Sequence, residues 1–97
     1  MTTLRIEHAI TDYDTWRGAF ERAAPFRQQA GVRSYRIQRP IDDPDYLMID
    51  LDFDDVVGAE ALLAILRERI WASPENSPGL AGQPRARIVD TVEVTQP

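Results

Sequence analysis

The spacing of apolar residues changes several times along the chain, and this order restricts the fold more than any other feature. Apolar and polar residues alternate over residues 4–10, which is typical of a strand with one buried face. Apolar residues then recur every three or four positions, as they do on the buried side of a helix. Two more alternating segments, a second helical segment and a final alternating segment follow. The pattern therefore predicts the element order βαββαβ.

The first helix is predicted over residues 13–30, with Thr11 or Asp12 as its N-cap. Pro25 lacks a backbone N–H and presses on the preceding turn, so we expect a kink or a break near Ala24. The helical spacing joins five residues along this segment: Tyr13, Trp16, Phe20, Ala23 and Arg27.

The two central segments, residues 32–39 and 46–53, are separated by six turn-forming residues and are predicted to pair as a hairpin. Asp54 or Asp55 is expected to begin the second helix. The buried stripe of that helix is predicted to contain six residues: Val56, Ala59, Leu62, Leu63, Leu66 and Ile70. Proline and glycine predict a loop over residues 72–84 with a short helical turn at Pro74, and the last strand is predicted over residues 85–94.

Right-handed crossovers convert this order into one antiparallel sheet, with spatial order 4-1-3-2 and both helices on one face. The predicted fold is therefore an α+β, ferredoxin-like sandwich. A chain of 97 residues is expected to form a single domain over residues 1–97. The sheet face away from the helices is expected to carry a ladder of ion pairs built from Arg5, Glu7, Arg36, Asp50 and Asp52.

Composition argues against several classes of function. The chain has no cysteine, so we expect a protein of the reducing cytoplasm without disulfides or thiolate metal sites. Its net charge of −5 disfavours a nucleic-acid partner, and no apolar run is long enough to span a membrane. The aspartate clusters lack the glycine of a calcium-binding loop, and no glycine-rich phosphate loop follows a strand. We therefore expect neither a bound metal nor a cofactor.

Segments at residues 5–8, 12–16, 42–44, 48–51 and 84–89 carry a resemblance to a known family. On these segments the chain resembles the dimeric α/β-barrel superfamily, which includes antibiotic-biosynthesis-monooxygenase-like domains and small polyketide cyclases. Within that superfamily it is most similar to short uncharacterised proteins of actinobacterial type. The resemblance implies a homodimer whose two sheets close face to face. It also implies a ligand pocket between the helices and the sheet of each protomer.

His8 is the only histidine and lies in phase with the apolar residues of the first strand. Its ordinary pKa near 6.5 makes it a candidate catalytic proton acceptor or a hydrogen-bond partner of a ligand. The alternative is a structural histidine that bonds a backbone carbonyl or a carboxylate such as Asp12 or Asp14. Oxygenases of the superfamily carry an asparagine on a strand where this chain offers His8.

Three aromatic residues are candidates for substrate binding: Trp16, Tyr35 and Trp71. Aromatic residues at helical spacing also fill ordinary cores, so the alternative is that they only pack. The resemblance implies a small-molecule-binding protein, either a cofactor-independent monooxygenase or a cyclase, with an aromatic or polyketide-like substrate. The alternative function is a non-catalytic structural or ligand-binding module with a filled core. A cavity with at least two polar groups near His8 would favour the first function, and a solid core the second.

Overall fold

The computed structural model describes all 97 residues and contains one four-stranded sheet. Its strands are β1 (Thr2–Ile10), β2 (Ser34–Gln38), β3 (Tyr46–Phe53) and β4 (Leu80–Asp90). The spatial order is β2-β3-β1-β4, and every neighbouring pair is antiparallel. This confirms the predicted order 4-1-3-2 and the predicted bounds of β3.

The first predicted helix is broken into α1 (Tyr13–Arg22) and α2 (Ala24–Ala30). The break falls at Ala23, next to the expected position, because Pro25 sits in the first turn of α2, where a missing N–H costs least. Asp12 is the N-cap of α1, since its carboxylate accepts a hydrogen bond from the Thr15 backbone N–H at 2.9 Å.

The second predicted helix begins as expected but changes its winding. Asp55 caps α3 (Val56–Ile65), accepting a hydrogen bond from the Gly58 backbone N–H at 3.2 Å. A π-helical turn over Leu66–Ile70 continues α3, and a 3₁₀ turn over Pro74–Asn76 follows. No helix in the chain is long and apolar enough to cross a membrane.

Three predicted strands have the wrong bounds. β1 begins at Thr2, two residues before the predicted start, because Thr2 and Thr3 pair with Phe53 and Asp52 on β3. β2 covers only residues 34–38 of the predicted 32–39, because the Val32 backbone N–H still bonds the Arg27 carbonyl at the end of α2. β4 begins five residues before the predicted start. Residues 82–84, which were predicted to lie in a loop, form a bulge within the strand. β4 also ends four residues early, because Asp90 pairs with Thr2 at the start of β1 and residues beyond it have no strand to pair with.

The core lies between the helices and one face of the sheet. β1 and β3 supply most of it, through alternating residues that are at most 5% exposed. Ala59 and Leu62 cover them from α3, as predicted, but Val56 is 44% exposed and does not belong to the buried stripe. Ten residues form the core: Leu4, Ile6, Ile10, Trp16, Leu47, Ile49, Leu51, Phe53, Ala59 and Leu62.

The opposite face of the sheet carries charged groups bonded across the strands. Asp50 lies opposite Arg5 on β1 and Arg36 on β2, and its carboxylate accepts hydrogen bonds from both at 2.9–3.2 Å. The Arg36 guanidinium also lies 3.6 Å from Asp52. Glu7 departs from the predicted ladder, because it accepts a hydrogen bond from the Tyr46 hydroxyl at 2.7 Å and forms no ion pair with an arginine.

Candidate functional site

A cavity of about 180 Å³ lies between the sheet and the helices. Thirteen of its eighteen lining residues are hydrophobic, which is the composition expected of a pocket for an apolar small molecule. β1 and β3 form its floor, α1, α2 and α3 form its walls, and the two turns that follow α3 line the remaining side. The lining consists of Ile6, His8, Trp16, Ala19, Phe20, Ala23, Phe26, Arg27, Ile49, Leu51, Leu62, Leu66, Ile70, Trp71, Asn76, Ser77, Pro78 and Leu80.

His8 lies in the floor of this cavity and is 4% exposed. Its Nδ1 is 2.9 Å from the carbonyl oxygen of Ala9. A carbonyl oxygen can only accept, so this contact places the proton on Nδ1 and leaves a lone pair on Nε2. The contact is the backbone bond of the structural alternative, and neither Asp12 nor Asp14 bonds the ring.

The Nε2 atom of His8 is free to bind a ligand. It makes no hydrogen bond within the chain. Every fully buried side-chain nitrogen in the chain has a partner, so Nε2 is not fully buried and keeps some accessible surface. Burial lowers the pKa of His8, and the bond to Ala9 only partly offsets this. The imidazole is therefore neutral at pH 7 and offers a hydrogen-bond acceptor inside an apolar cavity.

The bulge in β4 lies directly opposite His8. Glu7 pairs with Arg85 and Ala9 pairs with Ala81, so residues 82–84 of β4 face a single residue of β1. Gly82 makes this possible with a φ of 70°. Bulges are common next to functional sites because they alter the direction of nearby side chains.

Trp16 forms the wall next to His8. The ring centroids of Trp16 and His8 are 6.2 Å apart, and Trp16 stacks on Phe20 at 5.0 Å with 20° between the planes. Gly79 packs directly against the backbone of Trp16, since a Cβ at this position would come within 2.8 Å of the Trp16 backbone nitrogen. The loop before β4 therefore fixes the start of α1, and with it the indole.

Trp71 reaches the cavity through the π-helical turn. The Trp71 backbone N–H bonds the Leu66 carbonyl, five residues earlier, at 2.7 Å. The extra residue in this turn rotates the following side chains relative to an α-helix, and both Ile70 and Trp71 line the cavity. Trp16 and Trp71 thus approach the same cavity from different helical segments, as predicted.

Tyr35 lies outside the lining of the cavity. It is on the edge strand β2, is 41% exposed and contacts Phe20 edge to face at 5.0 Å. Tyr35 lies on the helix-covered face of the sheet, since it pairs with the buried Leu51, but Phe20 stands between it and the cavity. A direct contact with a ligand therefore has no support from the geometry.

Arg27 lines the cavity but was not predicted as a site residue. It is 8% exposed, and its guanidinium carbon lies 3.6 Å from the centre of the Phe20 ring. It also donates a hydrogen bond to the Phe20 carbonyl at the end of α1. The signal was present in the sequence, because Arg27 continues the apolar spacing of the first helix, where a charged residue is unusual.

Comparison with known proteins finds solved structures that share the fold of this chain. No protein-family model matches the chain, and no curated protein matches it by sequence. A proposed antibiotic biosynthesis monooxygenase from Bordetella bronchiseptica superposes with a TM-score of 0.71 at 13% identity, covering 95% of this chain and 98% of that one. A second protein described as an antibiotic biosynthesis monooxygenase gives a TM-score of 0.66 at 11% identity, covering 96% of this chain and all of the other.

A dimeric ferredoxin-like protein from an uncultured marine organism superposes with a TM-score of 0.64 at 16% identity, covering 97% of this chain and 96% of that one. The chain has the ferredoxin-like fold. The predicted ferredoxin-like fold is therefore confirmed over almost the whole length of each protein. Identities of 11–16% do not carry over the activity of these proteins. The closer similarity to actinobacterial-type proteins stays a prediction.

Proposed function

We propose that the chain binds a small planar aromatic compound in the cavity between its helices and its sheet. The observation that carries this proposal is the cavity itself, which combines aromatic walls with a neutral imidazole acceptor at the floor. Four lining residues bring polar groups to it: His8, Arg27, Asn76 and Ser77. An open cavity with several polar groups supports ligand binding over a filled core.

The volume of the cavity limits the size of the ligand. A dry apolar cavity of about 150 Å³ is known to hold one benzene molecule. At about 180 Å³, this cavity suits a compound of one or two fused rings. Among aromatic and polyketide-like compounds, small members should therefore fit best, and skeletons of three or four fused rings are expected to bind poorly.

His8 is the residue proposed to carry any chemistry. Its Nε2 lone pair can accept a proton from the hydroxyl of a bound phenol, which creates an electron-rich phenolate. Cofactor-independent oxygenation by O₂ and cyclisation through a ring carbon both begin from such an anion. We propose the oxygenase or cyclase activity on this basis, with Trp16 and Trp71 orienting the ring.

A titration of tryptophan fluorescence tests the binding proposal. One-ring and two-ring phenols and quinones should quench emission saturably, while a tetracyclic quinone of similar polarity should not. His8→Ala should weaken the best binder by about 0.5–1.5 kcal/mol, or about 2- to 13-fold, if Nε2 accepts one neutral hydrogen bond. Tyr35→Phe is the control, because it removes a hydroxyl from a residue outside the lining. A panel without any saturable binder would contradict the proposal.

Oxygen consumption separates an enzyme from a binding module. The best phenol is incubated with protein in air, O₂ uptake is followed with an electrode, and products are identified by mass spectrometry. Turnover that is lost in His8→Ala would support an oxygenase, and a cyclised product without O₂ uptake would support a cyclase. Saturable binding without any product would favour the non-catalytic ligand-binding alternative.

We also propose that the chain forms a homodimer through the polar face of its sheet. The fold is shared with a protein described as dimeric. Asp50 and Asp52 on this face are 5% and 7% exposed even in a single chain, because arginines and hydroxyl groups cover them. Light scattering at micromolar concentration should give about twice the chain mass of 11.0 kDa. A monomer with intact secondary structure would refute the dimer and leave the fold unaffected.

A further inference from the structure

Arg27 is a buried cation without an acidic partner. Each of the other arginines that contact a carboxylate does so at 2.6–3.6 Å, but Arg27 forms no ion pair in the chain. The nearby acid Glu21 already binds Arg17 at 2.6 Å. Removing an unpaired charge from water is costly, so the site should gain strongly from a matching anion.

The contacts that Arg27 does make leave most of its donors unused. One guanidinium nitrogen donates to the Phe20 carbonyl, and the Phe20 and Tyr35 rings lie 3.6 Å and 5.3 Å from the guanidinium carbon. These contacts stabilise the cation but do not neutralise it. Burial lowers the pKa of Arg27, whereas the carboxylate partner of Arg5 raises the pKa of that residue. A guanidinium has five N–H donors, and no fully buried nitrogen lacks a partner, so the remaining donors have accessible surface.

Consecutive aromatic contacts connect Arg27 to His8 along the cavity wall. The guanidinium covers Phe20, Phe20 stacks on Trp16, and Trp16 lies next to the His8 ring. All four residues line the same cavity. A flat molecule lying along these rings would therefore meet a hydrogen-bond acceptor at one end and an unpaired cation at the other.

We propose that the ligand of this cavity is an aromatic carboxylate of one or two rings, whose carboxylate binds Arg27. This inference rests on the proposed binding function and narrows its ligand class. The net charge of the chain, −5, would disfavour an anion at long range, so a preference for the anion has to come from a local cation. A guanidinium suits this role because it can bind both oxygens of a carboxylate at once.

Isothermal titration with a matched pair of probes tests the proposal. Naphthalene-2-carboxylate and naphthalene-2-carboxamide have nearly the same shape and differ in charge. The parent protein should bind the carboxylate at least tenfold more tightly at pH 7.5. Arg27→Gln should remove this preference while changing the affinity for the carboxamide less than twofold. Arg27→Lys keeps the charge without the planar fork and should retain part of the preference.

Arg22→Gln is the matched control, since Arg22 is exposed, does not line the cavity and carries the same charge. An equal loss of preference in Arg22→Gln would assign the effect to the overall field and overturn the proposal. Equal binding of both probes by the parent would overturn it as well, while leaving aromatic binding in place. Binding of neither probe would count against the aromatic-binding function and this inference together. The parent comparison stands even if Arg27→Gln fails to fold, because it needs no variant.

Discussion

Removing the Asp50 carboxylate should cost far more stability than removing an exposed carboxylate with equally good geometry. Asp50 accepts three hydrogen bonds, two from Arg5 and one from Arg36, and its side chain is 7% exposed. A hydrogen bond to a charged group contributes about 1.5–3 kcal/mol. The two arginines are 52% and 54% exposed, so water replaces part of what they lose. We therefore expect Asp50→Ala to lose about 2 kcal/mol, nearer to one such bond than to three.

Asp54→Ala provides the control for this prediction. Asp54 accepts two hydrogen bonds from Arg33 at 2.6 Å and 3.0 Å, but both side chains are more than 60% exposed. An exposed pair of this kind contributes little, because water solvates both charges when the pair opens. Urea unfolding and thermal melting of the parent and both variants give the comparison. A loss of about 2 kcal/mol corresponds to a fall in Tm of about 8–16 °C for a chain of this size.

The pH dependence of the Asp50 effect has a definite sign. Burial alone would raise the pKa of Asp50, but the bonds from Arg5 and Arg36 outweigh burial and lower it. A carboxyl with a lowered pKa stabilises the folded state above its unfolded pKa of about 3.9, and this contribution is lost as the pH falls through the folded pKa. The difference between parent and Asp50→Ala should therefore narrow below about pH 4. Equal losses in Asp50→Ala and Asp54→Ala at pH 7 would refute the reasoning.

Two further predictions concern the residues around the cavity. Gly79 and Gly82 both have positive φ, but a Cβ on Gly79 would strike the Trp16 backbone while one on Gly82 meets nothing within 4 Å. Gly82→Ala should therefore lower the free energy of unfolding by about 1–2 kcal/mol from backbone strain alone, and Gly79→Ala by about 1–3 kcal/mol more. Urea unfolding measures both losses, and equal losses would show that the loop moves freely away from Trp16. Burial lowers the pKa of His8 in the folded protein, so just below the ordinary histidine pKa of about 6.5 the unfolded chain binds more protons than the folded one. The parent protein should therefore lose stability as the pH falls from about 6.5 towards the pKa of His8 in the folded state. His8→Gln should not show this loss when the unfolding of both proteins is measured between pH 5 and 7.5. The same dependence of stability on pH in both proteins would show that His8 does not cause the loss.

The parts of the fold that follow from local spacing could be predicted from the sequence. The alternation around His8 placed this residue among apolar neighbours, and it is buried in the floor of the cavity. The strict alternation over Tyr46–Phe53 fixed the bounds and the two faces of β3. Pro25 marked the break in the first helix, since the effect of proline is confined to its own turn.

Features that depend on distant contacts could not be predicted in this way. Leu66 and Ile70 keep a spacing of four, which an α-helix and a π-helical turn accommodate equally well, so nothing local indicated the change in winding. Gly82 and Pro84 predict a loop when only their sequence neighbours are considered. They form a bulge in a strand because β1 pairs with this segment, and β1 lies about 75 residues away in the sequence. The burial of Arg27 depends on how α2 packs beside Phe20 after the chain breaks.

The two outer strands of the sheet also determine how copies of this protein can aggregate. β2 is only five residues long and carries Arg36, while β4 combines a bulge with Pro84 and two arginines that follow it. Short, charged or irregular outer strands offer few regularly spaced backbone groups to an incoming strand. Growth of a continuous intermolecular sheet is therefore disfavoured at both margins. The protein should resist fibril formation even at concentrations where its flat faces associate.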